Sequence, residues 1–338
     1  METRINRQWR LAARPEGMVG DEHFRWVEEP APEVTADGQV LVRTLYLSCD
    51  PTQRGWMARD TYLPAVAIGE VMRSFGVGRV LESRHPAYAA GQLVQGQLGW
   101  QDYALLDGSS ARLSVVPEGV PIPIAMSVLG ITGLTAYFGL LEIGRPQTGE
   151  TVVVSGAAGA TGSVAGQIAR LQGCRVVGIA GGPDKCRWLV GEARFDAAID
   201  YRNEDVAARL AELCPDGIDI YFDNVGGEIL DAALARLAFK GRVVLCGAIA
   251  DYNRSELGPG PRNYLNLLLQ RGRMEGFIIL DFLERAGEAV AELGRWVEAG
   301  EIKVEVDIQE GLENAPRTLR RLFTGANRGK QLLRIAEL

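Results

Sequence analysis

The hydrophobic rhythm of the chain changes about a third of the way along. In the first third, Gln39–Leu47 (QVLVRTLYL) alternates apolar and polar residues, the period of a half-buried strand. Val77–Ser83 and Gly91–Val94 are short apolar runs between turn residues, and Pro and Gly recur throughout. This texture predicts a partly open barrel of short strands. From Ile124 onward, strand and helix patterns alternate. Apolar runs at Thr151–Ser155, Arg175–Ala180, Ala197–Asp200, Ile218–Phe222, Arg242–Cys246 and Met274–Leu280 read as six strands. Thr151–Ser155 (TVVVS) has the continuous apolar character of a strand buried on both faces. Helical spacing at Gly162–Leu171, from Pro183, at Glu204–Leu213, around Glu228–Leu237 and at Phe282–Glu298 supplies the crossovers. The expected fold class is therefore α/β, a doubly wound parallel sheet of Rossmann type plus a β-rich, partly open barrel. Strand character returns at Ile302–Ile308 and Gln331–Ile335, around a helix near Pro316–Phe323. The expected division is a β-rich domain over 1–125, completed by 301–338, and a second domain over 126–300.

Composition adjusts this picture only at the edges. The net charge of −7 gives no bulk support to a nucleic-acid or polybasic membrane role. The stretch Val120–Gly144 is apolar, but Pro121 and Pro123 interrupt it and Glu142 closes it, so a buried core helix is expected rather than a membrane span. The five cysteines are scattered, without CxxC spacing, which favours a reducing compartment over disulfides or a zinc knuckle. Met1–Arg10 lacks the apolar run of a secretion leader, and the expected location is cytoplasmic.

Chemistry enters at Ser155–Ser163 (SGAAGATGS), a turn of small residues between a strand and a helix. Its spacing is close to G-x-G-x-x-G, with Ala157 in the first glycine slot. Gly159 lets backbone approach a pyrophosphate, Gly162 lets the helix pack close, and N–H groups at the helix start attract phosphate. The strand–turn–helix–strand context marks a dinucleotide site. The second strand ends neutrally, in Ala180-Gly181-Gly182-Pro183-Asp184-Lys185. An NAD enzyme usually carries an acid there. Lys185 is placed to meet a 2′-phosphate, so NADPH is the expected cofactor; Asp184 as an NAD-selecting acid is the competing reading.

Several runs together resemble the zinc-free prostaglandin reductase and alkenal double-bond reductase branch of the medium-chain dehydrogenase/reductase superfamily, which includes bacterial curcumin reductases. They are Tyr46–Pro51, Gly69–Met72, Gly133–Tyr137, Phe222–Glu228, Cys246–Ile249 with Tyr252–Arg254, Arg273–Phe277 and Asn327–Lys330. The resemblance implies a GroES-like catalytic domain and a homodimer. It implies NADP-dependent reduction of the carbon–carbon double bond of an enal or enone, chemistry on CH–CH groups. It places Gly159, Ala160, Thr161, Gly162 and Ser163 on the phosphates. Lys185 and Tyr201 would hold the 2′-phosphate, Asn224 would touch the cofactor at the carboxyl ends of the strands, and Cys246, Gly247, Ala248 and Tyr252 would belong to a loop beneath the nicotinamide half. Phe277, Ile278 and Ile279 would line the nicotinamide, with Asn327 reaching in from the tail. Where the family often has Tyr after Asp-Pro, this chain has Thr52, and Tyr62 is a possible substitute. No metal is expected, because His23 and His85 both lie outside any Gly-His-Glu context. Tyr252 is the candidate hydrogen-bond donor to the substrate carbonyl, with Tyr62 as second candidate. Quinone reduction and a non-catalytic NADPH-binding role are the alternatives.

Overall fold

A computed structural model describes residues 4–109, 113–256 and 258–337. The first three residues of the Met1–Arg10 segment therefore lie outside the described residues. In chain order, β1 (Ile5–Leu11) and β2 (Phe24–Pro30) form an antiparallel ribbon. Next come β3 (Gln39–Ser48), α1 (Thr52–Ala58), β4 (Phe75–Ser83), β5 (Leu93–Gln97), β6 (Tyr103–Asp107), β7 (Ser114–Val115), α2 (Ile122–Met126) and α3 (Ile131–Phe138). The βα alternation follows: β8 (Thr151–Ser155), α4 (Ala160–Leu171), β9 (Arg175–Ala180), α5 (Pro183–Gly191), β10 (Ala197–Asp200), α6 (Val206–Leu213), β11 (Ile218–Asp223), α7 (Gly227–Ala235) and β12 (Leu237–Leu245). The chain ends with α8 (Leu265–Leu269), β13 (Arg273–Gly276), α9 (Ala286–Glu298), β14 (Val306–Glu310), α10 (Ala315–Thr324) and β15 (Lys330–Arg334).

Six strands form a sheet in the order β10-β9-β8-β11-β12-β13, all parallel. The order reverses between β8 and β11, which opens a crevice at their carboxyl ends. The centre of this sheet is apolar on both faces. Val152 and Val154 join one core with α3 and α4, while Val153 joins a second core with α6 and α7. That two-sided burial is why β8 reads as an unbroken apolar run. On α4, Val164, Ala165, Ile168 and Ala169 recur at helical spacing and face the first core.

The second sheet follows β14-β15-β3-β4-β5-β7, with β6 also paired to β3. The tail thus returns: β15 runs antiparallel to β3 and parallel to β14. The Val120–Gly144 stretch becomes α2, α3 and a wider-pitched helical turn, packed against the first core. No helix among the described residues is long and apolar enough to cross a membrane.

Some expected boundaries move. The run Met274–Leu280 does not continue as a strand: β13 stops at Gly276, and Ile279–Arg285 coils into a 3-10 turn ahead of α9. Strand β13 has one neighbour, β12, so little holds its end in the sheet. Phe277 instead covers Gly139, where a Cβ would come within 2.5 Å of its ring. The helix expected at Phe282–Glu298 therefore begins at Ala286. Strand β12 starts at Leu237, earlier than Arg242, and β14 starts at Val306, later than Ile302.

Candidate active site

A cleft of 1430 Å³ lies between the two sheets. Its centre is the turn after β8. Gly156 adopts φ 58°, a left-handed conformation that favours glycine. Gly159 caps α4 with no side-chain hydrogen bond, so the first N–H groups of the helix are left for a ligand. Gly162 has a packing role, because a Cβ there would lie 2.5 Å from the Gly156 carbonyl oxygen. The tail reaches the same place: Gly329 N–H donates to the Ala158 carbonyl at 2.8 Å. Beneath the turn, Asp223 is fully buried. Its Oδ1 accepts from Ser155 Oγ (2.9 Å), Tyr221 Oη (3.0 Å) and the N–H groups of Val225 and Gly226 (3.0 Å each). Burial, outweighing those donors, raises its carboxyl above the ordinary value. Asp223 thus ties the ends of β8 and β11 together under the cleft.

One end of the cleft is cationic. Lys185 Nζ donates to the Gly325 carbonyl at 3.0 Å, and the Arg202 guanidinium donates to the Thr324 carbonyl at 2.9 Å. Tyr201 lines the same end, 6.0 Å from Arg202. Among the described residues neither cation has a carboxylate within ion-pair distance. Burial, and then the neighbouring Arg202, hold the Lys185 ammonium below its ordinary value. Two cations whose partners here are neutral carbonyls keep their charge available to an anion. Asp184 does not face this end: its side chain is exposed and pairs with Arg187. The competing acid at the end of β9 is therefore out of place, and the neutral strand end stands.

At the other end, Cys246 and Gly247 donate their N–H groups to the Asp223 carbonyl at 2.9 and 3.0 Å. The Tyr252 hydroxyl accepts from the Ala248 N–H at 3.3 Å, which leaves its own proton uncommitted. Burial pushes that hydroxyl above the ordinary tyrosine value, against the pull of the Ala248 N–H. Asn224 spends its N–H on Ser155 Oγ (2.9 Å) and its side-chain NH2 on the Ser155 carbonyl (2.7 Å), leaving its side-chain oxygen for a ligand. Phe277, Ile278, Ile279 and the nearly buried Asn327 also line the cleft. Tyr62 meets Thr52: the two hydroxyls lie 3.0 Å apart, and the Tyr62 ring stands edge-on to Trp56. An aromatic wall from Tyr62 thus occupies the place beside Thr52.

Of the residues expected from the sequence to bind the cofactor or act in catalysis, Ser163 and Ala248 do not line the cleft. Ser163 is buried, and its N–H already bonds the Gly159 carbonyl at 3.0 Å as the helix begins. Ala248 meets the cleft only through its N–H, which donates to the Tyr252 hydroxyl. His23 and His85 sit in turns away from the cleft. Among the described residues no cluster of three His, Cys, Asp or Glu side chains is placed to hold a metal.

Three residues escaped the sequence reading. Arg202 is one; its position two residues past β10, beside Tyr201, was the available signal. The others are Asp50 and Lys330, whose side chains meet at 2.5 Å on the cleft wall with Lys330 only 3% exposed. Ser48 Oγ also donates to Asp50. Their separation of 280 positions hides the pair from any local pattern.

Residues 7–114 match the family described as N-terminal domain of oxidoreductase, and residues 160–297 match zinc-binding dehydrogenase. The chain is 45% identical to NADPH-dependent curcumin reductase of Escherichia coli (strain K12), over 98% of this chain and 97% of that one. It is 39% identical to the NADP(+)-dependent 2-alkenal reductase of Nicotiana tabacum, over 90% of this chain and 89% of the relative. Its fold superposes on CurA from Vibrio vulnificus in complex with NADPH with a TM-score of 0.93. That pair shares 41% identity over 98% of this chain and 100% of the other.

Proposed function

The chain belongs to the zinc-free prostaglandin reductase and alkenal reductase branch of the medium-chain dehydrogenase/reductase superfamily, and on that premise we propose that it reduces the carbon–carbon double bond of α,β-unsaturated aldehydes and ketones with NADPH. The observation that carries the reading is one cleft with two unlike ends. An unpaired Lys185–Arg202 pair lies at one end, and a tyrosine hydroxyl with a free proton lies at the other. The residues fit the cofactor. Gly156, Gly159 and Gly162 leave room for the backbone to approach the phosphates, Lys185 and Arg202 would meet a 2′-phosphate, and Asn224, Phe277 and Asn327 would flank the nicotinamide half.

Bound NADPH supplies a hydride. The rest belongs to the chain. A conjugated carbonyl is already polarised, so addition at its β-carbon requires stabilisation of charge developing on the carbonyl oxygen. Tyr252 donates a hydrogen bond to that oxygen, and its raised value keeps the hydroxyl protonated at neutral pH. Trp56, Tyr62, Leu63, Met126 and Leu283 supply an apolar wall for the substrate and exclude water. Cys49 and Cys246 line the same cleft, where an electrophilic substrate would alkylate a thiolate. Burial pushes Cys246 up to about 12 and Cys49 higher still, so both stay as unreactive thiols.

The physiological unit we propose is a homodimer. Strand β13 is a sheet edge, and Leu265, Leu268 and Leu269 of α8, with Met274 of β13, are exposed beside it. Such an apolar edge is suited to pairing with a second copy. Five free cysteines favour a cytoplasmic location.

The test is NADPH oxidation with a matched panel of a small enal, a cyclic enone and a quinone, repeated with NADH. Turnover on the enal and enone with NADPH is expected to exceed every other combination. Preference for the quinone would replace this reading with quinone reduction, and no oxidation with any acceptor would replace it with a binding role.

A further inference from the structure

A second cavity, of 330 Å³, lies where the parallel pairing of β12 and β13 begins, at the opposite end of those strands from the cleft. Its lining is Arg145, Lys240, Arg242, Arg271 and Arg273, and in a chain of net charge −7 that concentration is exceptional. Two of the five are neutralised. Arg242 grips Glu150 through two bonds (2.8 and 2.5 Å), and Arg273 faces Glu275 at 3.7 Å. Among the described residues Arg145, Lys240 and Arg271 have no carboxylate within 4.0 Å. Lys240 Nζ and the Arg271 guanidinium carbon gather over one exposed ring, 5.7 and 5.5 Å from the centre of Phe239.

The backbone adds an independent observation. Four described residues other than glycine have positive φ, and three of them are Arg145 (52°), Lys240 (59°) and Arg271 (52°). Elsewhere the chain puts glycine at such positions, as at Gly173, Gly217 and Gly325. A side chain in this conformation is strained, and strain of this kind collects at functional sites. Attraction to helix carboxyl ends offers a reason for Arg145, which closes a helical turn, and for Arg271, which follows α8. It offers none for Lys240, which lies within β12. Nor does it explain why all three residues line one hollow.

We propose that this hollow is a binding site for a small multivalent anion of the pyrophosphate or tricarboxylate class, separate from the cofactor cleft. Such an anion would neutralise Arg145, Lys240 and Arg271 together and bridge the end of the helical turn before β8, β12 and the loop after α8. The proposal does not rest on the catalytic reading.

The experiment measures the melting temperature of the NADPH-saturated protein against inorganic pyrophosphate, with sodium chloride at matched ionic strength in parallel. NADPH keeps the cofactor's own phosphate sites filled. The variant is Lys240→Asn with Arg271→Gly, which removes both cations and substitutes residues that tolerate left-handed backbone. The wild type is expected to show a saturable rise with pyrophosphate and not with chloride. The variant is expected to bind pyrophosphate at least tenfold more weakly, to melt no lower than wild type without anion, and to keep its enone turnover. A wild type that does not respond, or responds equally to chloride, overturns the proposal; this includes the case in which acidic groups of a second copy fill the hollow. Unchanged affinity in the variant overturns it too. A lower melting point without anion also overturns it, because the two cations would then serve the fold.

Discussion

Replacing Lys185 and Arg202 together by alanine is expected to raise the KM for NADPH by about 10²-fold while leaving that for NADH nearly unchanged. Hydrogen bonds to charged groups contribute about 1.5–3 kcal/mol each. The exposed Arg202 is discounted for solvent screening, and the pair then supplies about 2–4 kcal/mol, at about 1.4 kcal/mol per decade. Both side chains also hold carbonyls of the 324–325 segment. The NADH value, measured on the same preparation, separates a loosened tail from a lost phosphate receptor. Equal rises for both cofactors would remove these residues from 2′-phosphate recognition. High salt should mimic the double variant in part, since the interaction is ionic.

Tyr252→Phe is expected to lower kcat on an enone by about 10²-fold, the cost typical of losing one donor to a developing oxyanion. The Kd for NADPH should move little, because the lost group is a single hydroxyl directed to the substrate. The same assignment fixes a pH dependence. The group's value is raised by burial, and its useful form is the protonated one. Its contribution is therefore complete at neutral pH and is lost only as pH climbs past the ordinary tyrosine value of about 10. Unchanged turnover in the variant would reduce Tyr252 to packing against the Cys246–Gly247 backbone.

The parts of this molecule that were legible in the sequence are those whose burial is local. TVVVS announces β8 because both faces of that strand are covered. The turn that follows is readable because Gly156, Gly159 and Gly162 each answer a backbone demand within a few residues. Lys185 was found by the same local logic, from a neutral strand end followed by a helix. Partnerships across the fold were not readable. Lys330 meets Asp50 only because β15 pairs with β3, and Arg202 joins Lys185 only because β10 lies beside β9. Helix α1 was missed because Thr52–Ala58 is short and lies in a Pro- and Gly-rich stretch. The error at Met274–Leu280 has the opposite cause. Phe277–Leu280 is apolar as a strand would be, but its apolar surface serves the cleft wall and not the sheet.

The central claim concerns which carbon receives the hydride. NADPH deuterated at the transferring position of C4, incubated with a simple enone and the enzyme, tests it directly by NMR of the product. A saturated ketone carrying deuterium on the former β-carbon is the predicted result. An allylic alcohol with deuterium on the former carbonyl carbon would contradict the account.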